Sequence, residues 1–210
     1  MIKAIAFDMD GVLIEAKDWH YQALNRALAL FGCEISRHEH LTVFDGLPTR
    51  RKLQMLSAEN KIPCELHDFI NDLKQQYTME IVAAQCKPRF NHEYALSRLH
   101  AQGFQLAVCS NSIRSTIEVM MARAALDPYL SFIVSNQDVS RAKPDPEMYL
   151  QAIGRFGIDA SECLVVEDNA LGVRAAQASG AHVLQVDHVD DVTYAALARH
   201  IAVCNQAVAA

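Results

Sequence analysis

Five short apolar runs, at 2–7, 105–109, 132–134, 163–166 and 182–186, constrain this chain more than any other feature. A continuous apolar run of that length suits a strand buried on both faces, the situation inside a parallel sheet. Stretches with helical spacing lie among the runs, at about 92–102, 115–125, 147–156 and 171–178. Gly103, Gly157 and Gly180 follow helical stretches, where a helix would stop. Strand, helix, strand in repetition predicts an α/β fold, a parallel sheet with helices on both faces.

One segment breaks the rhythm. Between about 15 and 85 there is no convincing strand, while 19–30, 51–56 and 66–82 have helical spacing. The segment is too long for a simple crossover and reads as a helical lobe inserted after the first strand; extra helices packed on the sheet are the alternative arrangement. About half of the 210 residues are hydrophobic, enough for one good core with a smaller lobe beside it. No repeat or low-complexity tract is visible, and only the last residues, 207–210, are expected to fray.

The net charge is −6, with acids and bases intermixed and no basic stripe, so nucleic acid is not an expected partner. Such a chain binds an anionic ligand only by concentrating positive charge locally, in side chains or a metal. Six cysteines are scattered without a CxxC pair, and Cys109 and Cys163 sit inside apolar runs as small core residues. The chain enters a strand-like run at once, so a signal peptide is not expected, and no apolar stretch is long enough to span a membrane. A reducing cytoplasm is the expected location.

Four polar groups each follow one of the strands or its loop. In an open parallel sheet ligands bind at the carboxyl ends of the strands, so such residues meet at one rim. The first group is Asp8-Met9-Asp10-Gly11. If the extended form persists, Asp8 and Asp10 face the same side. Two close carboxylates divide labour, one ionised beside a cation, the other with a raised pKa and able to carry a proton. Alone, this pattern also reads as an acidic loop cap or a bare metal site. The second is Ser110-Asn111-Ser112, whose hydroxyls and backbone N–H groups make an anion site or, equally, a helix cap. The third is Lys143, restricted by Pro144 and Pro146, a compact charge for a phosphoryl oxygen that in isolation would merely be solvated. The fourth is Glu167-Asp168, adjacent carboxylates suited to a hard cation, leading into a helix through Asn169-Ala170-Leu171-Gly172.

With these motifs in this order, the chain resembles the haloacid dehalogenase superfamily, in the branch of β-phosphoglucomutase and many small phosphatases. The resemblance implies a Rossmann-like core over 1–14 and 88–210 and an inserted helical cap over 15–87. It implies that Asp8 attacks phosphorus to form a phospho-aspartate. Asp10 would protonate the leaving oxygen and then deprotonate the attacking water. Ser110, Asn111 and Lys143 would bind the phosphoryl group. Mg2+ would be held by the Asp8 carboxylate, the Asp10 carbonyl and Asp168, with Glu167 touching the ion or one layer behind it. Asp10 argues against a dehalogenase.

In this branch the cap supplies substrate contacts. Gly46-Leu47-Pro48-Thr49-Arg50 resembles the family's cap loop; Arg50 or Arg51 is a candidate for a distal phosphate or hydroxyl, and equally a plain surface arginine. His20 matches a histidine position near the acid–base, Lys74 is a weaker match, and His38 and His40 read as surface residues. One departure stands out: Glu15-Ala16 replaces the usual Asp followed by Ser or Thr at the cap hinge, so the hydroxyl that can orient the second Asp is missing. The expected activity is hydrolysis of a small phosphorylated metabolite, a sugar phosphate first. The alternatives are a phosphomutase, with the same core residues, and a catalytically silent or signalling phosphate-binding module.

Overall fold

The computed structural model describes residues 1–207; Val208 to Ala210, part of the segment expected to fray, lie outside the described residues. The chain divides into two compact units, Met1–Glu15 with Lys87–Ala210, and Ala16–Cys86.

The first unit is built on β1 (Ala4–Phe7), β2 (Gln105–Cys109), β3 (Phe132–Val134), β4 (Cys163–Glu167) and β5 (His182–Gln185). All pairings are parallel and the order is β3-β2-β1-β4-β5, so β1 is central. Every residue of β1 and of β4 is buried, as the apolar runs Ala4–Phe7 and Cys163–Val166 require; the remaining residue of β4, Glu167, is buried too. Ala4, Ala6, Ala107, Cys109, Cys163 and Val165 share one core with Met148, Tyr149, Ala152 and Phe156. Period-two alternation assigns Ile5, Phe7, Leu106, Val108, Leu164 and Val166 to the opposite face. Small residues on the first face leave room for the large side chains of α7 (Glu147–Phe156), which closes with Gly157 at φ 69°. α5 (Phe90–Ala101), α6 (Arg114–Arg123), α8 (Ala170–Ala178) and α9 (Tyr194–Ala207) complete the unit. Among the described residues no helix is long and apolar enough to cross a membrane, and all six cysteines are free thiols.

The second unit is helical: α1 (Lys17–Ala29), the single turn α2 (Arg37–Glu39), a π-helical turn His40–Phe44, α3 (Thr49–Ala58) and α4 (His67–Gln85). α1 packs chiefly on α4. Leu24, Ala27, Leu28, Ile35, Phe44, Leu53, Leu56 and Ile70 form its own core.

The surface reading of His40 is corrected. It is 2% exposed, with its ring 5.0 Å from that of Tyr21. A capping box between Ser36 and Glu39 starts the turn that folds it inward, and the polar run Arg37–Glu39 just before it disguises this in the sequence. Burial, helped by the Lys52 charge and opposed by Asp45, lowers its pKa to about 4. A histidine depressed in the folded state contributes stability above its unfolded pKa, about 6.5, and loses it as pH falls towards 4. The wild type should therefore lose up to about 3 kcal/mol more than His40→Phe between pH 7 and pH 4. Urea denaturation of both proteins at the two pH values measures this; equal losses would show that His40 does not titrate with unfolding.

Candidate active site

The parallel register assembles the site. Phe7 pairs with Val108 on one side and Val166 on the other, so the residues that follow each strand emerge side by side. The ladder extends one step further: Asp8 N donates to Val166 O at 2.9 Å and Ser110 N to Val134 O at 3.0 Å. Gly11, at φ 94°, then turns the chain away, a backbone conformation that glycine adopts without strain.

Lys143 is the hub. It is 4% exposed, and its three N–H donors go to Asp8 Oδ1 at 2.6 Å, Glu167 Oε1 at 2.7 Å and the Cys109 carbonyl at 2.7 Å. An ammonium has three donors, so this set is complete. Burial alone would lower the lysine's pKa, but the Asp8 and Glu167 carboxylates outweigh it and hold the ammonium protonated. Burial pushes the Asp8 carboxyl up; Lys143 opposes this, while Glu167, Asp168 and Asp10 reinforce it. A divalent cation among these carboxylates would act in the same sense as Lys143.

Glu167 is the last residue of β4 rather than the first beyond it, and is fully buried. Besides Lys143 it accepts the Tyr149 hydroxyl on Oε1 at 2.5 Å. Burial, then the Glu167 charge, raises the Tyr149 pKa and keeps the phenol a donor. Asp8, Glu167 and Asp168 each offer an oxygen, all within 4.8 Å of one another. Three carboxylates at this spacing are the donor set of a hard divalent cation.

Asp10 receives the Ser112 hydroxyl on Oδ2 at 3.3 Å. Ser110 is buried, and its hydroxyl accepts the Ser112 N–H at 3.1 Å. The residue that caps α6 is Ile113, so the Ser110–Ser112 segment is a loop and not the cap. Asn111 fastens that loop to the lysine segment: its Oδ1 accepts the Lys143 N–H at 3.2 Å, and its carbonyl accepts from Asn136 at 2.8 Å. Beneath it, Asp138 accepts from Arg114 at 2.7 Å and from the Ser135 hydroxyl at 2.6 Å. Partial burial would raise the Asp138 pKa, but these bonds bring it down to about 2. Tyr149, Asp138 and Arg114 are absent from the sequence reading, because nothing local distinguishes them from core or surface residues.

The helical-unit candidates lie apart from this cluster in sequence. His20 Nδ1 is 3.2 Å from Nζ of Lys74, a buried lysine. Gly46 adopts φ 70°. Arg50 is largely exposed and pairs with Asp68 at 3.5 Å.

Residues 5–186 match the family model of haloacid dehalogenase-like hydrolases. The chain belongs to that family, in its branch of phosphatases and phosphomutases, and is an enzyme of the phosphatase kind. It is similar to a phosphorylated carbohydrates phosphatase of Thermotoga maritima, 26% identical, covering 85% of this chain and 82% of that one. It is 26% identical to the bifunctional riboflavin kinase/FMN phosphatase of Arabidopsis thaliana over 90% of its own length, and spans half of that protein. The crystal structure of β-phosphoglucomutase from Clostridium difficile superposes with a TM-score of 0.85 over 100% of both chains at 19% identity, a likeness of fold. Members of the family generally use a divalent metal, which the carboxylate cluster fits.

Proposed function

We propose that the protein is a Mg2+-dependent phosphatase that hydrolyses small phosphorylated metabolites, sugar phosphates first, through a phosphoryl group carried on Asp8. The observation that carries this reading is the buried Asp8 carboxylate at the end of the central strand, 2.6 Å from Lys143 and grouped with Glu167 and Asp168.

Asp8, Asp168 and Glu167 would hold the ion. When bound, Mg2+ supplies charge neutralisation at the phosphoryl oxygens. An Asp8 carboxylate oxygen attacks phosphorus as the bond to the leaving oxygen breaks. Asp10 gives its proton to that oxygen, then takes one from the water that attacks the acyl phosphate. Inorganic phosphate leaves and Asp8 is restored. Lys143 releases one of its three acceptors to reach a phosphoryl oxygen, while the Ser110–Asn111 loop, anchored to Asn136 and to the Lys143 backbone, offers hydroxyl and N–H donors. The similarity to the Thermotoga maritima phosphatase supports phosphorylated carbohydrates as the substrate class.

Hydrolysis is favoured over mutase transfer by residue 16. A mutase keeps its acid–base from activating water until the sugar is in place, and Ala16 has no hydroxyl for that restraint. The test is phosphate release from a panel of phosphorylated sugars, nucleotides and vitamins, with β-glucose 1-phosphate followed by phosphorus NMR. Phosphate should accumulate without added bisphosphate and stop reversibly on chelation. Fast conversion to glucose 6-phosphate with little free phosphate would replace this reading by the mutase. Undiminished release in excess chelator would remove the metal from it.

A further inference from the structure

Glu167 is held more tightly than a simple counter-ion to Lys143 needs. Its Oε1 accepts two bonds, from Tyr149 Oη and Lys143 Nζ, which fills that oxygen's lone pairs. Its Oε2 accepts only the Asp168 N–H among the bonds described, at a long 3.2 Å, and so keeps the capacity to bind a cation. The other wall is Gly172 in the first turn of α8: a Cβ there would lie 1.9 Å from Oε1 and 2.2 Å from Oε2. Only a glycine leaves space for the carboxylate. Tyr149 is itself completely buried, at the start of α7, so its hydroxyl has one fixed direction.

We infer that Tyr149 is a positioning residue for the metal centre: its hydroxyl, with the space left by Gly172, turns Glu167 so that Oε1 is occupied and Oε2 is the oxygen offered to the cation. This rests on the proposal above that a divalent ion sits among Asp8, Glu167 and Asp168. A phenylalanine here would fill the same core but remove one of the two bonds on Oε1, so the Glu167 carboxylate is held about its last bond by Lys143 and the Asp168 N–H alone. Groups that orient metal-binding carboxylates in this way typically change metal affinity or activity about 10- to 100-fold when removed.

The test is calorimetric titration of Mg2+ into full-length Tyr149→Phe, without substrate, beside the wild type. The expected result is a Kd raised about tenfold, in a protein whose circular dichroism is unchanged. Phosphate release should be lowered at limiting Mg2+ and restored by excess. A tyrosine that served packing alone would lower the melting temperature and leave the Kd where it was; a Kd within about twofold of the wild type overturns the inference. Gly172→Ala forces the carboxylate out from the other side with Tyr149 intact, and should raise the Kd as well. It decides the matter if Tyr149→Phe does not fold. Because metal binding is read without turnover, a wild type that binds Mg2+ but hydrolyses no phosphate ester would refute the proposed function and leave this inference standing.

Discussion

Asp8→Asn should lose at least about a thousandfold in turnover while keeping its fold, because the residue is both the proposed nucleophile and a structural acceptor. An amide oxygen can still accept the Lys143 bond that the carboxylate now accepts at 2.6 Å. It cannot form the acyl phosphate. The substitution also removes one of four clustered carboxylates, which offsets the weaker attraction to Lys143. Turnover of an aryl phosphate at saturating Mg2+, with circular dichroism as the control for folding, is the measurement. Retention of more than a few per cent of activity would end the assignment of Asp8.

Lys143→Met should be inactive and also less stable by about 3–5 kcal/mol, the usual consequence of taking one partner from a buried ion pair. Asp8 and Glu167 are 5% and 0% exposed, and without the ammonium they would be two buried carboxylates with no lysine charge beside them. The Cys109 carbonyl would lose its donor as well. Adding Glu167→Gln to Lys143→Met should restore much of the stability, since one stranded charge is removed, but none of the activity. Urea denaturation of the single and double variants separates the two effects. If Lys143→Met unfolds at the wild-type urea concentration, the lysine is not the electrostatic keystone described above.

The sequence made the sheet legible because its central strands carry unbroken apolar stretches, Ala4–Phe7, Leu106–Cys109 and Cys163–Val166, the pattern of burial on both faces. It made the rim legible because Asp8, Asp10, Ser110, Lys143 and Asp168 fall at strand ends or in the loops beyond them. What stayed hidden depends on partners distant in the chain. Glu167 reads as one of two adjacent acids beyond the end of a strand, yet it closes β4 as a fully buried residue; that burial is permitted by Lys143 and Tyr149, 24 and 18 residues earlier. Tyr149 reads as a core aromatic, and its hydroxyl gains a role only once α7 lies against β1 and β2. Ser112 looks like one more residue of a polar loop until the fold brings it to Asp10. His40 is hidden for a related reason: the polar run Arg37–Glu39 precedes it in sequence, and its burial depends on packing against Tyr21 far from it in the chain.

The position of β1 also bears on how the protein is made. Ala4 pairs with Gln105 and Cys163, partners 101 and 159 residues further along the chain. At a synthesis rate of about 5–20 residues per second, the central strand waits several seconds for its first neighbour and longer for its second. During that interval a bare apolar segment is exposed, with both hydrogen-bonding edges open. The helical unit Ala16–Cys86 follows it directly and holds its core entirely among its own residues, so it can fold before β2 exists. The nascent chain would then carry a folded helical bundle beside an unpaired strand, a state in which a chaperone has one short sequence to shield.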